Sequence, residues 1–167
     1  MNTIQLHRRE IVLARTLRAP RDLVWKAWTD PKHLAKWWGP HGFTTPVCEI
    51  DLRPGGVLRI VMRPDEAMRA AMGLPPGAEF PMSGVFEDVT PPARLAFTNN
   101  AFDIEGRQQL KGFTTVALDD VGGGTRLTVT AAAEGEGPLA AQMLAGMEEG
   151  WSQSLERFEV YVGGAFK

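Results

Sequence analysis

The sequence predicts an α+β fold in which an antiparallel sheet is covered by one long amphipathic helix at the C-terminal end. Three observations carry this. Between Thr44 and Ala131 apolar and polar residues alternate with the period of strands. Short turns rich in glycine and proline separate those runs, which joins neighbouring strands antiparallel. From Pro138 onward the period changes to three and four, through Leu144, Met147, Trp151, Leu155, Phe158 and Val162. A sheet and a helix with one apolar face each must bury those faces against one another.

The elements follow in order. The whole chain, 1–167, reads as a single domain, with residues 1–8 expected to be a loose tail. Glu10 to Leu17 is rich in β-formers and predicts the first strand, with Ile11, Leu13 and Leu17 on one side. Pro20 opens a helix, because proline is tolerated in a first turn. Asp30 followed by Pro31 predicts an N-cap with proline at the first helical position, and so a second short helix through Leu34 and Trp37. Gly39-Pro40 ends it. Cys48, Ile50 and Leu52, then Leu58, Ile60 and Met62, alternate across a Pro54-Gly55-Gly56 turn, which predicts a hairpin. Four further strands are expected at Ser83 to Val89, Arg94 to Asn99, Lys111 to Leu118 and Thr125 to Ala131. Pro91-Pro92 and Gly122-Gly123-Gly124 mark turns between them. The last glycine run precedes a strand, not a helix, and so cannot cradle a phosphate.

Composition narrows the function. A net charge of −2 gives no footprint for nucleic acid or an anionic membrane, so neither is an expected partner. No apolar run reaches the roughly 18 residues that a membrane span needs, and no signal peptide is expected. One cysteine and three histidines make no metal-ligand pattern, and no cofactor is expected. Cys48 alternates with the apolar set and reads as an inert, buried thiol in a reducing, cytoplasmic setting.

Several short signatures occur in a fixed order. Arg18-Ala19-Pro20 runs into Val24-Trp25-Lys26-Ala27-Trp28-Thr29-Asp30-Pro31, then Trp37-Trp38-Gly39-Pro40. Asp51 to Gly56, Pro81 to Gly84, Pro91 to Leu95, Gly124 to Thr128 and Gly150-Trp151 follow. In this order they resemble the START-like, or SRPBCC, superfamily, and within it the branch of the heat-shock-chaperone ATPase activator. The resemblance implies a helix-grip fold, with a curved sheet wrapped around the long helix and an apolar cavity between them. It also implies a link to the stress response. The activator itself carries a separate chaperone-binding domain, which is not expected in this chain. Relatives turn sharply after the strand that holds Met62. Here residues 64–80 form an inserted segment instead, and Glu66 to Met72 are good helix formers stopped by Gly73 and Pro75.

The resemblance and the parity of each element nominate Trp38, Phe43, Met62, Phe86, Phe97, Phe113, Met143, Met147 and Trp151 as walls of a ligand cavity. Met68 and Met72, four apart, make the insert either a lid or a surface loop tucked onto the core. Trp37 and Trp38 point roughly 100° apart on a helix, so one should be buried and the other can line the cavity. Gly146 and Gly150 lie inside the long helix at a cost of about 0.5–1 kcal/mol each against alanine. Close approach to the strands is the favoured explanation and space for a ligand the alternative. His41 reads as an exposed loop residue, and Asp51 as a partner of Arg53 or Arg59. No acid–base pair stands out. The expected function is therefore binding of a small hydrophobic or aromatic molecule. An enzyme of the same fold, or a protein that assists a chaperone or other partner through its surface, is the alternative. Dimerisation through a sheet edge is left open.

Overall fold

A computed structural model describes residues 5–164. The elements are β1 (Leu6–Leu17), α1 (Arg21–Thr29), α2 (Pro31–Trp37), β2 (Phe43–Ile50), β3 (Val57–Pro64), α3 (Glu66–Ala71), β4 (Phe80–Thr90), β5 (Arg94–Thr98), β6 (Asn100–Phe102), β7 (Gln108–Asp120), β8 (Thr125–Glu136), α4 (Gly137–Ala145) and α5 (Met147–Gly163). All strand pairs are antiparallel. The sheet runs β1-β8-β7-β5-β4-β3-β2, with β6 bridging β4 and β7. This is the expected helix-grip arrangement, an eight-stranded curved sheet closed over by the C-terminal helices.

Register shifts bend the sheet. They fall between Thr44 and Val47, between Phe86 and Asp88, and between Ala101 and Phe102. An unpaired residue at such a point kinks its strand and increases the local twist. The resulting curvature lets one sheet surround the helices that a flat one would only touch.

The short helices start as their sequences dictate. Pro20 is the N-cap of α1. The Asp30 carboxylate accepts from the Lys32 amide at 2.9 Å, with Pro31 at the first helical position of α2. Aromatic side chains from both helices meet α5 in one cluster. Trp28 lies edge-on to Trp37 at 4.7 Å between ring centroids and stacks on Trp151 at 6.4 Å. Phe158 packs against both Trp28 and Trp37. The core continues through Leu58, Ile60, Phe86, Leu95, Phe97, Val116, Leu127 and Leu155.

Three expectations need correction. The first strand begins at Leu6, opposite Glu136, so His7 and Arg8 belong to the sheet and not to a tail; residues 1–4 of that tail lie outside the described residues. An additional strand, β6, follows Asn99, where a single continuous strand was expected to end. The C-terminal helix is two helices. α4 stops at Gly146, and α5 starts immediately after it. The break leaves carbonyls at the end of α4 without helical partners. Arg9 of β1 satisfies two of them, with Nη1 donating to Leu144 O at 2.8 Å and Ala145 O at 3.1 Å.

Candidate functional site

The sheet does not close fully on α4 and α5. A cavity of about 290 Å³ remains, beside the aromatic cluster. Trp38, Gly39, Pro40 and Phe43 form one wall, on the segment that leads from α2 into β2. Met62, Phe80, Pro81 and Met82 come from β3 and β4. Asn99, Ala101, Phe102, Leu110 and Ala133 come from the far side of the sheet. Met143, Met147, Gly150, Trp151 and Ser154 come from the helices, and Met72 from the C-cap of α3 in the insert.

The wall next to α2 is held by an unusual clasp. Arg157 of α5 lies under the segment from Lys36 to Phe43. Its Nη1 contacts the carbonyl oxygens of Gly39 at 2.8 Å, Phe43 at 3.2 Å, and Trp38 and Pro40 at 3.3 Å. These carbonyls sit past the C-terminal end of α2, where the helix dipole favours a cation. Burial lowers the Arg157 pKa below the ordinary guanidinium value. The Thr45 hydroxyl donates to the Trp38 carbonyl at 3.0 Å, and the His41 amide to Gln153 Oε1 at 3.0 Å. The loop is thus fixed to α5 through its backbone, and its side chains are free to face the cavity.

Trp37 and Trp38 take different surroundings, but not by the 100° step of a helix, because Trp38 is an extended C-cap outside α2 and is itself buried. Trp37 is fully buried, with its indole N–H donating to Ala27 O at 3.0 Å. Trp38, in extended backbone at the C-cap of α2, sits against Trp151 at 5.3 Å and lines the cavity.

Of the residues nominated from sequence, the structure brings Trp38, Phe43, Met62, Met143, Met147 and Trp151 to one cavity. Three lie elsewhere. Phe86 and Phe97 oppose each other across β4 and β5 and pack edge-on at 6.0 Å. They point inward, but into the solid core. Phe113 is 39% exposed, because the inward row of β7 is Gly112, Thr114, Val116 and Leu118. Its parity is one residue out of step with the expected face.

The insert separates its two methionines. α3 is capped by Asp65, whose carboxylate accepts from the Met68 amide at 2.8 Å. Met68 packs over Gly42, where even a Cβ would come within 2.8 Å of its terminal methyl. Met72 reaches the cavity and remains 46% exposed.

Gly150 overturns the favoured explanation for the helix glycines. A Cβ built there meets nothing within 4 Å, so no strand backbone demands a glycine. The position leaves open space on the cavity wall.

The wall residues missed from sequence are Phe80, Pro81, Met82, Asn99, Ala101, Phe102, Leu110, Ala133 and Ser154, together with Gly39 and Pro40 as wall positions. Met82 carried a legible signal, since it shares a strand face with Phe86 at spacing four.

The remaining candidates sit outside the cavity. His41 is exposed, with Nε2 3.1 Å from Glu156 Oε2. Asp51 pairs with Arg53 at 2.9 Å, while Arg59 takes Glu49. Burial, then the nearby Asp30 and Glu49 charges, push the Cys48 thiol up to about 12, so it is a poor nucleophile. No helix among the described residues is long and apolar enough to cross a membrane.

Comparison with known families gives the matching identity. The family described as activator of Hsp90 ATPase homolog 1-like protein matches residues 18–163. The chain belongs to this family. Solved structures agree on the fold. A protein of Rhizobium leguminosarum superposes with a TM-score of 0.80 at 23% identity, over 97% of this chain and 99% of its own. A Nitrosomonas europaea protein gives 0.70 at 29% identity, over 93% and 95%. A Silicibacter pomeroyi protein whose structure carries the same family label gives 0.71 at 23% identity, over 93% and 98%. Among curated proteins none matches the sequence.

Proposed function

We propose that this protein binds a small, neutral, apolar molecule in the cavity between the sheet and α4–α5. The lining carries the reading. Among the described residues it contains no Asp, Glu, Lys, Arg or His, and five of the chain's seven methionines contribute to it. A charged ligand would lose its hydration there with no counter-charge to replace it. Methionine thioethers are flexible and polarisable and suit varied apolar shapes. At about 290 Å³ the space lies just below the usual range of ligand sites, roughly 300 to 1,000 Å³, and so suits a small molecule.

The same lining favours binding over acid–base catalysis, which needs a titratable group within reach of the reacting atoms. In this reading Met72, on the short helix α3, lies at the cavity wall and serves as its cover. The single, unreactive thiol suits a cytoplasmic protein.

Native mass spectrometry with a panel of small neutral aromatic and aliphatic compounds tests the reading, alongside tryptophan fluorescence. A 1:1 complex with quenched or shifted emission from Trp38 and Trp151 is the expected result. If no member of the panel binds at millimolar concentration, the cavity is not a ligand site and a surface-mediated role becomes the better account.

A further inference from the structure

One polar side chain in the cavity wall has half of its hydrogen-bonding capacity unused. Asn99 sits at the junction of β5 and β6 and lines the cavity. Its amide N–H donates to Gly112 O at 2.9 Å, which anchors the backbone. Its side-chain Oδ1 accepts from the Thr114 hydroxyl at 2.9 Å. Thr114 is completely buried, and Oδ1 is the only acceptor its hydroxyl meets among the described residues. A buried hydroxyl proton needs an acceptor. That requirement fixes which way the Asn99 amide is turned, with oxygen toward Thr114 and nitrogen away from it. Gly112 makes room for this placement, because a Cβ there would lie 3.1 Å from Oδ1 and 2.5 Å from Asn99 O.

The Nδ2 group then has two donors and no hydrogen-bond partner among the described residues. Of the other polar groups in the wall, the Ser154 hydroxyl donates back to Gly150 O at 3.0 Å, and the Trp38 and Trp151 indoles belong to rings packed edge-on against each other.

We propose that Asn99 is the specificity-determining residue of the cavity, and that Nδ2 donates to a neutral acceptor oxygen, such as a ketone or ester carbonyl, on an otherwise apolar ligand. The assignment rests on the cavity's being a ligand site and names the class of molecule it takes. An apolar body fills the methionine and aromatic walls, and one acceptor oxygen sets its orientation. A hydrocarbon of the same shape leaves Nδ2 without a partner on entry, and a carboxylate enters without a counter-charge.

The test is a matched pair of probes, 2-acetylnaphthalene and 2-isopropylnaphthalene, titrated calorimetrically into the protein and into Asn99→Asp. The substitution keeps an oxygen for Thr114 and removes the amide donor. The native protein is expected to prefer the ketone about two- to tenfold, the net worth of one hydrogen bond. In Asn99→Asp at pH 7 the preference for the ketone over the hydrocarbon should vanish or reverse. Equal binding of the two probes by the native protein overturns the Asn99 assignment and leaves the cavity reading standing. So does a ketone preference that survives the substitution. Binding of neither probe overturns the cavity reading, and the assignment falls with it. The native comparison needs no variant, so it decides the question even if Asn99→Asp folds poorly.

Discussion

Arg157 Nη1 lies 2.8 Å from the carbonyl oxygen of Gly39 and reaches three more carbonyls of the same loop. One helix residue therefore positions Trp38, Pro40 and Phe43 by holding their backbone. A planar guanidinium can serve several acceptors at once, whereas an ammonium on a flexible stem acts as a point charge. Arg157→Lys should lower stability by about 1–2 kcal/mol, and Arg157→Met by about 2–3 kcal/mol, from the loss of hydrogen bonds to a charged donor. Urea unfolding measures the cost. Both variants should also red-shift tryptophan emission as the Trp38 loop loosens. Unchanged stability in Arg157→Met would show that the loop holds itself.

Trp28 and Trp37 are both buried, yet they differ at one atom. Trp37 Nε1 donates to Ala27 O, while Trp28 Nε1 is buried without a hydrogen-bond partner. Replacing each with phenylalanine removes similar volume. Trp37→Phe also leaves the Ala27 carbonyl unpaired, which adds about 1–3 kcal/mol. Trp28→Phe removes an N–H that gained nothing. Thermal unfolding should therefore rank Trp37→Phe as the clearly more damaging change. The reverse order would mean that the Trp28 N–H has a favourable interaction with a neighbouring ring.

Asp103 links pH to the far wall of the cavity. Its carboxylate accepts from the Arg107 and Glu105 amides at 2.9 Å, and from the Arg107 and Gln109 side chains. The Arg107 backbone bond, with the other donors, outweighs desolvation and holds its pKa below the ordinary 3.8. A carboxylate with a lowered folded-state pKa contributes stability that is complete above the unfolded value. That contribution is lost as pH falls through the folded one. Stability should therefore decline on acidification below about pH 4, and Asp103→Asn should flatten that part of the profile. Melting temperatures between pH 2.5 and 7 read both. The same turn joins the strands that carry Phe102 and Leu110, so the variant should also weaken ligand binding at neutral pH.

What the sequence could show depended on how local each determinant is. The Asp30-Pro31 cap, the alternation of Leu58, Ile60 and Met62, and the helix from Glu66 rest on neighbours within a few residues, and the structure has all three. Phe113 was misread because parity alone cannot say which side of a strand is inside; the answer lies in the pairing of β7 with β5 and β8. Phe86 and Phe97 were placed on the right side but at the wrong depth. How far the sheet stands from the helices depends on register shifts that no single strand encodes. The Arg157 clasp joins positions more than a hundred residues apart and has no local signature.

Gly150 provides the sharpest separation of stability from binding. It lies in the first turns of α5, where glycine costs about 0.8–1 kcal/mol against alanine. A Cβ there touches nothing within 4 Å, so Gly150→Ala introduces no clash. The variant should gain up to about 1 kcal/mol and melt a few degrees higher. Gly150 lines the cavity, so the new methyl is expected to take up part of its volume. Affinity for an apolar probe should fall, and Gly150→Leu should reduce it further while still folding. Parallel thermal unfolding and calorimetry on the three proteins check this. If Gly150→Ala is more stable and binds as well as the native protein, the ligand does not use the space beside α5. If it is less stable, the glycine is needed for the backbone, and the open space at this position is not the reason it is there.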